Sequence, residues 1–119
     1  MNSAEKIMAA RALATRAQRT LTSANANLAL SRTAGVTDAT VYAKRAYALA
    51  EAAGRSASDA LKLLDSMGRP DNKEIRRAAK GVRKDSKKAK SEAGRLAKKS
   101  AKALKKAEKA LGHNKKSKR

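Results

Sequence analysis

Cysteine, phenylalanine and tryptophan are absent from this chain, proline and histidine occur once each, and tyrosine twice. Without cysteine there are no disulfides, no thiolate metal ligands and no sulfur nucleophile. His113 alone cannot make a multi-histidine metal site within one chain. A general base needs an orienting partner and a pocket, and His113 stands between Gly112 and Asn114, where a solvated or phosphate-touching role fits better. Asp59 and Asp65 are six residues apart and not side by side on a helix, while Asp59 and Lys62 read as an ordinary i,i+3 surface pair. There is no glycine-rich phosphate loop or nucleophile motif. The reading is non-enzymatic, with no cofactor. No apolar run approaches the ~20 residues needed to span a bilayer.

Large apolar side chains are scarce as well. Hydrophobic residues make up 41% of the 119, but 28 of them are Ala. Ala buries little surface at about 25 cal/mol per Å², so a deep globular core is not expected. What the chain does have is helical punctuation. Gly35 follows an apolar-periodic stretch, and Thr37 and Asp38 then offer N-cap side chains. Gly68 and Pro70 mark a second stop, after which Asp71 and Glu74 form a capping-box-like pair. Gly112 marks a third stop. The prediction is an all-α protein with helices at 3–33, 38–67 and 71–111. Residues 1–70 form a near-neutral antiparallel hairpin, followed by a longer basic helix and a basic disordered tail at 112–119.

Each stretch carries a 4-3 apolar repeat suited to coiled-coil packing. It runs Ile7, Ala10, Ala14, Ala17, Leu21, Ala24, Leu28 in the first. In the second it runs Ala39, Tyr42, Ala46, Leu49, Ala53, Ser56, Ala60, Leu63, Met67. In the third it runs Ile75, Ala79, Val82, Ser86, Ala89, Ala93, Leu96, Ser100, Ala103, Ala107, Ala110. Thin Ala seams suggest a homo-oligomer or filament. After Val82 the only large apolar residues are Leu96, Leu104 and Leu111. Like-charged pairs such as Lys98/Lys102 oppose the helix there, so the distal part is expected to fray until a polyanion neutralises it. Deleting residues 83–119 is expected to abolish nucleic-acid binding and leave the hairpin helical.

Charge is the most informative feature. Residues 71–119 hold twenty of the thirty Lys and Arg against five acids. Lys84, Lys88, Arg95, Lys98, Lys102, Lys105 and Lys109 form a stripe at 4-3 spacing; Arg76, Arg77, Lys80, Arg83, Lys87, Lys90, Lys99 and Lys106 widen it, and Lys115, Lys116, Lys118 and Arg119 extend it. Self-repulsion on this scale is relieved by a polyanion. Lys is a flexible point charge suited to phosphates, without the bidentate base readout open to Arg. Sequence-independent nucleic-acid binding is the leading expectation, and a plain solvated helix face is the bland one. DNA is favoured over RNA, because sequence-specific RNA readers use aromatic platforms. Tyr42 sits on the second seam and reads as packing; Tyr47 lies off it. A membrane-surface helix would normally offer Trp, Phe or many Leu, and this one offers Ala and Ser.

The units "KKAK", "LAKKSAKALKKAEKAL" and "KKSKR" resemble the Lys/Ala-rich tails of linker histones and similar bacterial histone-like proteins. The resemblance is compositional and covers Lys80 to Arg119. Linker-histone tails are Pro-rich, whereas nothing after Pro70 is Pro, which points to a continuous helix. It implies an architectural, condensing protein at a nucleoid or chromatin. The alternative is a virion or nucleocapsid component whose basic helix lines a packaged genome. Arg11, Arg16 and Arg19 with one acid, Glu5, also match a mitochondrial transit peptide in composition. The seam unbroken to Leu28 favours a first bundle helix instead.

Overall fold

In the computed structural model, which describes residues 1–117 and the side chains of 1–112, three helices account for nearly the whole chain. They are α1 (Ser3–Thr33), α2 (Val36–Asp65) and α3 (Lys73–Ser117). The chain runs up, down and up again, with α2 packed against both neighbours and α3 closer to α2 than to α1. The result is a rod of 70 × 19 × 18 Å with a radius of gyration of 18.6 Å. A compact domain of this length would have a radius near ~14 Å. At 1.5 Å per residue, the 45 residues of α3 span about 68 Å, so this one helix sets the length of the molecule.

The helix ends show what starts and stops each segment. Asn2 caps α1 through a capping box: Glu5 N–H donates to Asn2 Oδ1 at 2.9 Å, and Asn2 N–H donates back to the Glu5 carboxylate at 3.5 Å. Gly35 was expected to close α1 and Thr37–Asp38 to open α2. Instead the connection is only Ala34–Gly35, both extended, with Gly35 itself the N-cap and Asp38 inside the first turn. An acid there still favours the helix dipole. After α2, Gly68 takes φ +67°, the left-handed turn conformation that glycine adopts without a Cβ penalty. Asp71 does not cap α3. Asn72 does, accepting from the N–H groups of Glu74 at 2.9 Å and Ile75 at 3.3 Å. Gly112 does not end α3 either. A glycine in an otherwise favourable run costs only ~1 kcal/mol, and the helix passes through it to Ser117. A tail beginning at 112 is therefore corrected to a helix through 117; residues 118 and 119 lie outside the described residues.

The core is built from small residues. The α1 seam is buried as expected, from Ile7 to Leu28. On α2 the buried line is Ala39, Ala43, Ala46, Ala50, Ala53, Ala57, Ala60 and Leu64. Four positions of the expected seam are displaced by one residue: Tyr42, Leu49, Ser56 and Leu63 are half-buried flankers of Ala43, Ala50, Ala57 and Leu64, and half-buried Met67 lies past the end of α2. A central helix must meet two neighbours, and the closest approach goes to the Ala line while larger side chains splay to the edges. On α3 the seam is buried from Ala79 through Ser100. Packing therefore continues well past Val82, correcting the expectation of weak docking. Small seam residues bury fully when backbones lie close, and a Cβ on Gly54 of α2 would sit 3.5 Å from the Ala93 Cβ of α3. Beyond Ser100 the seam opens: Ala103, Leu104 and Ala107 are half-buried and Ala110 is exposed. The Ala seams from which self-association was expected are used within the bundle. A cut at residue 83 would strip Ala89, Ala93 and Leu96 from the α2 face they cover, so the hairpin is not an independent platform.

Candidate nucleic-acid interface

The register of α3 sorts its charges. With Ala79, Ser86, Ala93 and Ser100 facing inward, the opposite side of the helix presents Arg77, Lys80, Lys84, Lys87, Lys88, Arg95, Lys98, Lys102, Lys105 and Lys109, all exposed. Between Arg77 and Lys109 this outer surface spans about 48 Å, one cation per ~5 Å. Duplex DNA carries one phosphate per ~1.7 Å, so phosphates outnumber cations along any alignment. Glu74 precedes this run, and the next acid on the outer side is Glu108, just before Lys109.

Lys73 is exposed at the first position of α3, and five further bases lie on the helix edges. Arg83 is half-buried and pairs with Asp65 at the end of α2. Lys90 shares a groove with Glu51, Arg55, Asp59 and Lys62 of α2, and Arg76 is half-buried near the start of α3. Lys99 lies beside Asn25 of α1, and Lys106 by Arg32 and Ala34 at the α1–α2 turn. These five flank the stripe. Lys115, Lys116, Lys118 and Arg119 fall outside the described side chains. The acids Asp85 and Glu92 lie in the seam between α1 and α3 beside Gln18, Thr22 and Asn25, next to Lys88 and Arg95 at the edge of the stripe.

α2 is electrically balanced: Lys44, Arg45, Arg55 and Lys62 against Asp38, Glu51, Asp59 and Asp65. Arg45 stacks over the Tyr42 ring with its guanidinium carbon 5.9 Å from the centroid, and Glu51 pairs with Arg55 at 3.8 Å. The hydroxyl of Tyr47 meets the Glu51 carboxylate one turn on, which pushes the phenol pKa up, first by hydrogen bonding and then by negative charge. This arrangement orders α2's own surface and leaves no aromatic beside the cationic stripe. No helix among the described residues is long and apolar enough to cross a membrane.

Fold and surface together define a class: an all-α three-helix rod with one helix that is long and cationic along its outer side. No protein-family model, curated protein or solved structure matches the chain.

Proposed function

We propose that this protein is a non-enzymatic architectural protein that binds the phosphate backbone of nucleic acid, duplex DNA above all, along the outer side of α3. The observation that carries the reading is the run of nine exposed cations from Arg77 to Lys105 with no acid on the outer side between them. Such a row is costly in the free protein. Like charges at i,i+4, among them Lys84/Lys88, Lys98/Lys102 and Lys105/Lys109, each oppose the helix by about 0.2–0.5 kcal/mol. A polyanion removes that repulsion and releases its own counterions, which makes binding strong at low salt and independent of sequence. Ammonium groups on flexible stems adapt to phosphates at many registers. The Lys/Ala-rich run from Lys80 onward supports a histone-like role on composition.

The test keeps the chain full length, because α3 is part of the core. Lys98, Lys102 and Lys105 are exposed, and Gln matches Lys closely in helix propensity. In fluorescence anisotropy on a duplex, Lys98→Gln/Lys102→Gln/Lys105→Gln should reduce the slope of log K against log salt by about 2–3. An unchanged slope would place the phosphates elsewhere.

A further inference from the structure

A second cationic surface lies on α1. Arg11, Arg16 and Arg19 are all exposed and surround Met8, Ala12 and Thr15 on the side of α1 turned away from its buried seam. The sole acid of α1 is Glu5, at its first turn. None of the three arginines has a salt-bridge partner among the described residues. Three unpaired guanidinium groups in one patch are a surface awaiting an anion.

Position decides whether this patch extends the α3 stripe or stands apart. α1 and α3 run parallel, with Gln18 beside Asp85 and Lys88, and Asn25 beside Glu92 and Arg95. Residue n of α1 is therefore level with about residue n+70 of α3, and the arginines stand level with the Lys80–Lys88 part of the stripe. Between the two surfaces runs the α1–α3 seam, where Asp85 and Glu92 stand among Lys88, Arg95 and Lys99. An anionic polymer lying across both surfaces would meet these carboxylates at the seam, beside cations that belong to α3. The bundle is only 18–19 Å thick, so two polyanions held on its two sides would be close neighbours.

We infer that the chain has two phosphate-binding surfaces, the α3 stripe and the Arg11–Arg16–Arg19 patch, and that it bridges two nucleic-acid duplexes side by side. The inference rests on the nucleic-acid reading above. A duplex is the fitting second partner for two reasons. Arg11 and Arg19 are about 12 Å apart along the helix axis, close to the ~12 Å width of a major groove between its phosphate walls. Arginine forks also grip phosphate oxygens bidentately. A lipid surface fits less well, because Met8 is the one large apolar residue within the patch and interfacial helices bury several.

The experiment uses one duplex fixed on beads, a second labelled duplex in solution, and separate measurement of bead-bound protein and bead-bound label. The full chain should retain both itself and the label. Arg11→Gln/Arg16→Gln/Arg19→Gln should lower retained label about ten-fold or more through the lost phosphate contacts. Bead-bound protein should change less than about two-fold if the surfaces are independent, with helicity by circular dichroism unchanged. Two outcomes overturn the inference. Undiminished bridging by the triple variant would mean that self-association links the duplexes; joint loss of protein and label would mean one continuous surface. Full chain on the beads without label sinks bridging alone, whereas no protein on the beads sinks the nucleic-acid reading itself.

Discussion

Two serines inside the rod lead to a counterintuitive expectation: removing their hydroxyls should stabilise the protein. Ser86 and Ser100 are 0% and 1% exposed, and neither Oγ has a hydrogen-bond partner. A buried hydroxyl without a partner costs about 1–3 kcal/mol. Alanine has nearly the same volume, deletes that cost and adds a few tenths of a kcal/mol of helix propensity. The sites are two heptads apart, about 21 Å along α3, so their effects should add. Ser86→Ala/Ser100→Ala should therefore gain about 2–6 kcal/mol. For a chain of this length each kcal/mol raises Tm by about 3–5 °C, and a rise of at least ~6 °C is expected. Urea denaturation followed by far-UV circular dichroism should show a higher midpoint at unchanged m-value. An unchanged or lower midpoint would refute the reasoning. It would mean that the hydroxyls turn to the carbonyls one turn back, at Val82 and Leu96, as helical serines can.

Other substitutions probe the same architecture. Leu64 is the largest fully buried side chain, and Leu64→Ala should cost about 2–5 kcal/mol by chemical denaturation. Gly81→Ala lies mid-helix with nothing within 4 Å of the new Cβ and should raise stability by up to ~1 kcal/mol; a decrease would mean that α3 bends there. Asn72→Ala removes the acceptor for two N–H groups and should cost about 1 kcal/mol, read as a lower Tm. Asp65→Asn, which breaks the exposed pair with Arg83, should cost less than about 1 kcal/mol.

The helical architecture was legible because Gly35, Gly68 and Pro70 punctuate three unbroken 4-3 repeats. The α1 seam matched residue for residue, since α1 has one dominant packing face and its few large residues lie on it. The α2 seam was half legible. Tyr42, Leu49 and Leu63 drew the expectation by their size, but a helix between two neighbours sets its smallest side chains at the closest approach. Docking of the distal part of α3 was underestimated for the same reason, because Ala89, Ala93 and Ser100 bury fully by backbone proximity. Cap placement failed by one or two residues: Asp71 and Asn72 are both good caps, and only the geometry of the turn chooses between them. The cationic stripe was visible in the sequence, whereas the confinement of Asp85 and Glu92 to the α1 seam required the packing register. Arg11, Arg16 and Arg19 were visible too, yet only the fold shows them together around Met8 on the surface of α1.

The central claim is that the outer side of α3 holds nucleic-acid backbone without reading its sequence. The most direct measurement is the affinity of the full chain for two duplexes of unrelated sequence, titrated from 50 to 200 mM salt. With about 6–10 phosphates neutralised, affinity should fall roughly 10³–10⁵-fold over that range, in parallel for both duplexes. A shallow slope, or a strong preference for one duplex, would contradict it.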